Sequence, residues 1–220
     1  NRHPYFVIVS GRAPEDAPDF TQALVKSLTT GEADQTNMTL SRIELDPAKA
    51  ASKQGATSFS RTSIALEAHT DSSFLPRPHE IVAFQFVRAD PEGGDSIMIP
   101  IDEVDARLSP AMRAAAAEAV FSFGEGAYPL ITEKGGRRSL RFYRTQIDKS
   151  AGGELTGDAK ALADAMSEAT SARHEDYRFH AEPGEIVLIN NTKTLHSRTS
   201  FGAASDRLMF RVRCNSALVK

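Results

Sequence analysis

Cysteine is nearly absent from this 220-residue chain. Cys214 stands alone, so no internal disulfide can form, and a reducing, cytoplasmic setting is the expectation. An excess of one charge is missing as well. The 26 basic and 29 acidic side chains leave a net charge of -3, without the basic block that would track nucleic acid or an anionic membrane surface. No apolar run approaches the roughly 18 residues that cross a bilayer. Asn1-Arg2-His3-Pro4 lacks the charged-then-apolar layout of a secretory signal, so none is expected. Internal repeats and low-complexity stretches are also lacking. These absences argue against nucleic acid or a membrane as partner and say nothing yet about chemistry. What is present is an ordinary globular composition, 40% hydrophobic and 25% charged, at a length that suits one domain over residues 1–220.

Tyr5-Phe6-Val7-Ile8-Val9 reads as a buried strand closed by Ser10-Gly11. Phe20, Leu24 and Leu28 give residues 17–29 helical spacing, with Gly31 beyond the end. Residues 30–58 are polar and aperiodic apart from Ile43 and Leu45, the pattern of a functional lid or a mobile connection. From Phe59 onward, strand patterns become dense at 63–71, 81–88, 96–101, 121–123 and 138–145. Ser109 is an N-cap for an alanine-rich helix over 110–120, and 155–172 predicts another helix. Two closing strands, 185–190 and 207–213, follow Pro183-Gly184. Many short strands with a few inserted helices predict a mainly β fold with a double-stranded β-helix, or jelly-roll, core. An α+β sandwich is the alternative.

Alternate residues of a strand share a face, so Glu67, His69 and Asp71 are expected to point the same way. His-x-Asp offers an imidazole and a carboxylate to one metal, and His196, just past the strand 185–190, is the candidate third ligand. Two histidines and a carboxylate with open coordination positions suit an Fe(II) oxygenase. Taken alone, His-x-Asp is a weak pattern, because a lone strand histidine is more often structural. The remaining histidines are read blandly. His79 is expected in an exposed loop, His174 and His180 lie in a polar segment without a carboxylate at ligand spacing, and His3 is terminal.

Ala68-His69-Thr70-Asp71, Gly93-Gly94-Asp95-Ser96 and Leu195-His196-Ser197-Arg198-Thr199 occur in that order. Pro183-Gly184-Glu185 leads into an apolar strand ending at Asn190-Asn191, and Arg207 lies eleven residues beyond His196. Together these motifs resemble the 2-oxoglutarate oxygenases of the taurine dioxygenase and clavaminate synthase group, over about residues 59–213. The resemblance implies Fe(II) on His69, Asp71 and His196, with 2-oxoglutarate and O2 as cosubstrates. It implies that Arg207 grips the distal carboxylate of 2-oxoglutarate, with Ser96 beside it where the group commonly has threonine. A guanidinium fork matches a carboxylate bidentately, which agrees with that role.

By parity Arg207, Arg211 and Arg213 share a strand face, and surface ion pairing is their bland reading. Arg211 is a candidate for a substrate carboxylate, Glu67 for a substrate ammonium or guanidinium, and Arg213 is read as structural. The implied activity is hydroxylation of a small amino-acid-like molecule with release of succinate and carbon dioxide. Asp71 argues against halogenation, because halogenating members of the group carry a small residue at that position. Residues 30–58 and 124–136 are the candidate covers. Two alternatives stand beside this reading: a cupin-type metalloenzyme that does not use 2-oxoglutarate, and a non-catalytic small-molecule-binding barrel.

Overall fold

Alternation with a period of two sorts the apolar residues of the central strands onto opposite faces, and the architecture follows from covering both. The computed structural model describes residues 2–3, 5–28, 38–46, 59–171 and 174–215. The chain runs through β1 (Arg2–His3), β2 (Phe6–Val9), α1 (Asp19–Leu28), β3 (Thr39–Glu44), β4 (Leu66–His69), β5 (Ile81–Arg88) and β6 (Ser96–Pro100). It continues through α2 (Ile101–Arg107), α3 (Pro110–Glu118), β7 (Val120–Ser122), β8 (Ala127–Pro129), β9 (Ile131–Lys134), β10 (Arg137–Leu140) and α4 (Arg144–Ser150). The last elements are α5 (Gly157–Ser171), β11 (Arg178–Phe179), β12 (Ile186–Asn190), β13 (Thr194–Arg198) and β14 (Leu208–Cys214).

Strands β1-β2-β12-β5-β14-β3 form a six-stranded sheet and β11-β6-β13-β4 a four-stranded one. Successive strands alternate between the two: β4 small, β5 large, β6 small, and later β12 large, β13 small, β14 large. This is the jelly-roll pattern, open at the edges rather than closed into a barrel. Val82, Phe84 and Phe86 of β5, with Val187, Ile189 and Met209, meet Met98 of the smaller sheet in the space between. The alternate residues Ala83, Ile186, Leu188 and Val212 face outward under Phe20, Leu24 and Val25 of α1. Beyond the smaller sheet, Ile97, Ile99 and Leu195 pack with Val104, Ala116, Leu162 and Met166 of the three helices α2, α3 and α5. Among the described residues, no helix is long and apolar enough to cross a membrane.

The Ser109 cap is present: its Oγ accepts from the Met112 N–H at 3.2 Å, with Pro110 opening the helix. Several expectations need correction. Within 30–58, residues 39–44 are a strand zipped along β14 from Leu208↔Glu44 to Arg213↔Thr39, while 30–37 and 47–58 lie outside the described residues. The other expected cover, 124–136, contributes to the hairpins β7–β8 and β9–β10. The strands expected over 96–101 and 138–145 stop at Pro100 and Leu140, and the helices α2 and α4 begin soon after. Seven-residue helices complete two turns, too few for a 3.6-residue period to show. β13 escaped notice because Leu195 is its one aliphatic residue; pairing with β6 and β4 on either side supplies what its composition does not.

Leu195 is fully buried at the centre of the helix-covered face. Leu195→Ala should therefore cost about 2–5 kcal/mol in a urea titration. Val120→Ser, at an exposed position, should stay within about 0.5 kcal/mol of the parent.

Candidate metal and cosubstrate site

Antiparallel pairing of β4 with β13 sets His69 opposite His196, their ring centroids 4.2 Å apart. Asp71 is placed differently from the expectation. β4 ends at His69, and Asp71 lies in the following turn. What holds it is the buried side chain of Asn191. The Asp71 N–H donates to Asn191 Oδ1 at 2.8 Å, and Asn191 Nδ2 donates to the carbonyls of Asp71 (2.9 Å) and His79 (2.7 Å). Ser72 follows with a positive φ of 61°, its hydroxyl 2.6 Å from His79 Nδ1. His79 is thus buried in this turn rather than exposed, because its ring and carbonyl both serve the ligand loop.

Asp71 Oδ1 lies 3.7 Å from His69 Nε2 and 4.0 Å from His196 Nε2, and one donor atom from each of the three residues lies within 4.8 Å of the others. Metal–ligand bonds of about 2.1 Å put neighbouring donors roughly 3 Å apart, so a small inward rotation brings the set onto one ion. The donors fit a divalent cation chemically. Asp71 Oδ2 and His196 Nδ1 are buried without a hydrogen-bond partner. The Glu67 carbonyl can only accept, so His69 Nδ1 carries the proton of their 2.9 Å bond and its Nε2 lone pair faces Asp71. Burial, reinforced by His69, depresses the His196 pKa to about 3, so that imidazole is neutral at any working pH. Burial also pushes Asp71 toward protonation, but the Arg211 guanidinium, 3.1 Å from Oδ1, outweighs it and holds the carboxylate ionised.

Two cavities meet at these ligands. The first is a narrow cleft between the sheets, walled by Phe84, Phe86, Met98 and Met209 and lined also by His196, Ser96 and Arg207. Arg207 immediately precedes β14, buried, with its guanidinium 5.3 Å from the Phe86 ring and 5.4 Å from Phe201. Among the described residues no carboxylate pairs with it, and Asp90 attracts it from beyond ion-pair range. Burial lowers its pKa to about 10, which leaves it cationic. Gly94, at φ +74°, lies so close that a Cβ there would sit 3.2 Å from Arg207 Nε. The second cavity, of about 200 Å³, is bounded by His69, Asp71, Ser72, Tyr143, Gln146, Arg211 and Arg213.

Six of the seven residues singled out in the sequence therefore line the ligand set and the narrow cleft: His69, Asp71, His196, Arg207, Ser96 and Arg211. Arg211 opens onto both cavities, its Nη1 3.1 Å from Asp71 Oδ1. Glu67 lines neither. The ladder shifts register between His196 and Arg198, so strand parity does not carry across β4, and Glu67 is exposed, accepting from the Thr145 N–H in the first turn of α4 at 2.7 Å. Sequence reasoning passed over Asn191 as a positioning residue and Tyr143, whose ring lies 4.8 Å from His69. The one hint for Asn191 is a polar residue at the end of an apolar run. His180 has a carboxylate partner after all, Asp95 at 2.7 Å, which Arg178 shares.

The model of the taurine catabolism dioxygenase TauD, TfdA family matches residues 5–213, and the chain belongs to that family. No curated protein matches the sequence. A crystal structure of asparagine oxygenase superposes with a TM-score of 0.64 at 20% identity, covering 80% of this chain and 55% of that one. PvcB from Pseudomonas aeruginosa gives 0.66 at 13% identity, covering 96% and 75%. The non-heme iron oxygenase OrfP in complex with Fe and alpha-ketoglutaric acid gives 0.67 at 12% identity, covering 99% and 77%. At these identities the likeness is one of fold, and the chain spans little more than half of the asparagine oxygenase.

Asn191→Leu strands the Asp71 N–H and two carbonyls, which should cost about 2 kcal/mol or more. Anaerobic calorimetry should show weakened Fe(II) binding in Asn191→Leu although every ligand is present, and none in His196→Ala.

Proposed function

We propose that the protein is an Fe(II)- and 2-oxoglutarate-dependent oxygenase that hydroxylates an unactivated C–H bond of a small amino-acid-like substrate, releasing succinate and carbon dioxide. The observation that carries this reading is the pairing of a buried His-Asp-His set with a cleft lined by His196 and by Arg207, a cation without a carboxylate ion-pair partner among the described residues. A metalloenzyme that does not use 2-oxoglutarate leaves that buried charge without purpose, and a non-catalytic binding barrel leaves the ligand set unexplained. Family membership, and relatives described as binding Fe and alpha-ketoglutaric acid, support the same assignment.

Iron, when bound, supplies the redox chemistry by which 2-oxoglutarate and dioxygen are consumed and a substrate carbon is oxidised. The protein's own residues do the positioning. Two neutral imidazoles and one carboxylate hold a dication with a single compensating charge. Arg207 receives the distal carboxylate of 2-oxoglutarate through its planar fork, and the Ser96 hydroxyl adds a contact. Phe84, Phe86, Met98 and Met209 keep water from the cleft, which strengthens the Arg207 contact by lowering the local dielectric. The larger cavity receives the substrate, with Arg211 as a cation at its metal end. Glu67, engaged with α4, is left out of substrate recognition. The amino-acid-like class draws support from the complexes of asparagine oxygenase with 3-hydroxyasparagine and succinate and of OrfP with hydroxyarginine.

Anaerobic titration with Fe(II) and 2-oxoglutarate, followed by oxygen-dependent succinate release across an amino-acid panel, tests the reading. Removing a buried bidentate charge costs roughly 2–5 kcal/mol. Arg207→Ala should accordingly raise the 2-oxoglutarate requirement by about a hundredfold or more. Gly94→Ala should raise it as well, by crowding the guanidinium. An unchanged requirement in Arg207→Ala would overturn the cosubstrate assignment.

A further inference from the structure

The turn after β4 carries Asp71 beyond the ladder hydrogen bonds of the sheet. Pro76 and Pro78 lack N–H groups, so the turn does little to hold itself. Within it, the Leu75 N–H donates to the Ser72 carbonyl at 3.0 Å and the Ser73 hydroxyl to the Thr70 carbonyl at 2.8 Å. Asn191 fixes Asp71 itself. We propose that Arg141 is a positioning residue for the remainder of this turn, and through it for the metal ligand Asp71. This rests on the metal-site reading above and adds to it a residue that lines neither cavity.

Arg141 immediately follows β10 and is half-buried. Its Nη1 donates to the carbonyls of Ser73 (2.6 Å) and Leu75 (2.7 Å), and its Nη2 to that of Pro76 (3.2 Å). Three carbonyls of one turn thus converge on one guanidinium, whose planar fork of donors serves them together. Among the described residues no carboxylate reaches ion-pair distance of this charge. A ring meets it instead: Cζ lies 3.8 Å from the ring centroid of Tyr128 in β8. Gly126 leaves room for that ring, since a Cβ there would collide with the Tyr128 phenol. The next residue adds backbone contacts, the Thr70 N–H donating to the Phe142 carbonyl at 2.8 Å and the Phe142 N–H to Thr70 Oγ1 at 3.1 Å. Residues 141–142 therefore grip the turn on both sides of Asp71, at Thr70 and again at 73–76. Asp71, Ser72 and Phe74 of this turn line the larger cavity, so a shift of the turn moves a metal ligand and a cavity wall together.

The test combines anaerobic calorimetry with Fe(II) and amide hydrogen exchange of the metal-free protein. Loss of a group that orients a metal ligand typically weakens binding by tenfold or more, so Arg141→Gln should lower Fe(II) affinity by about tenfold or more. Exchange in the same variant should speed up over residues 71–77 and stay unchanged in the β5–β12 ladder. Arg141→Lys keeps the charge and three donors but not the planar fork, and should recover part of the affinity. Tyr128→Leu removes the stacked ring and should reproduce the loss in weaker form, which keeps the test open if Arg141→Gln does not fold. Fe(II) affinity unchanged in a folded Arg141→Gln, or in Tyr128→Leu where the former does not fold, overturns the proposal. Faster exchange spread evenly along the chain overturns it too, because Arg141 would then be a general stabiliser. A wild-type protein that binds no Fe(II) overturns the oxygenase reading and this proposal with it, an outcome distinct from normal wild-type binding with an unaffected variant.

Discussion

The pairing of β4 against β13 is the constraint on which the site depends. It brings two histidines from distant parts of the chain face to face in the wall between the sheets. Neither strand is long, and β13 has little apolar content of its own. Their register is secured by β6, which pairs with β13 along its whole length, and by the helices that bury Leu195 behind it. A slip of one residue in β13 would send His196 to the helix-packed face and Leu195 into the metal pocket. The core packing and the metal geometry are therefore one problem with one solution.

Asp71 completes the set by another route. It leaves the strand, so ladder hydrogen bonds no longer fix its backbone, and the amide of Asn191 takes over that task from the end of β12. Each face of this amide is matched to a backbone group, and its burial makes any substitution leave polar atoms unmet. The larger sheet, through β12, thereby controls a ligand that follows a strand of the smaller sheet. Opening the two sheets relative to one another would dismantle the ligand set before it disturbed either sheet.

Charge along β14 extends the same logic. Arginines at alternate positions reach three environments: a dry cleft, the metal set's own carboxylate, and the wall of a roomier cavity. Only the middle one is neutralised within the protein's described residues. The strand lays out a row of cations along the two cavities, with Asp71 beside the middle one as the fixed anion.

Most of the central strands were legible in the sequence because period-two alternation and bounding glycines and prolines are local properties of the chain. His69, Asp71 and His196 were legible for a similar reason: residue type and order survive without coordinates, as do Arg207 and Ser96 in their motifs. What the chain order does not contain is the outcome of pairing. β3 lay hidden in a polar segment because an edge strand needs only one partner, and β13 because its neighbours supply its stability. Parity placed Glu67 beside His69, but the register shift between β13 and β4 turned it out to the first turn of α4. Asn191 carried only the hint of a polar residue ending an apolar run, and Tyr143 carried no local pattern that set it apart. Their positions come from contacts made across the fold, where hydrogen bonds and packing are satisfied between residues that the sequence leaves far apart.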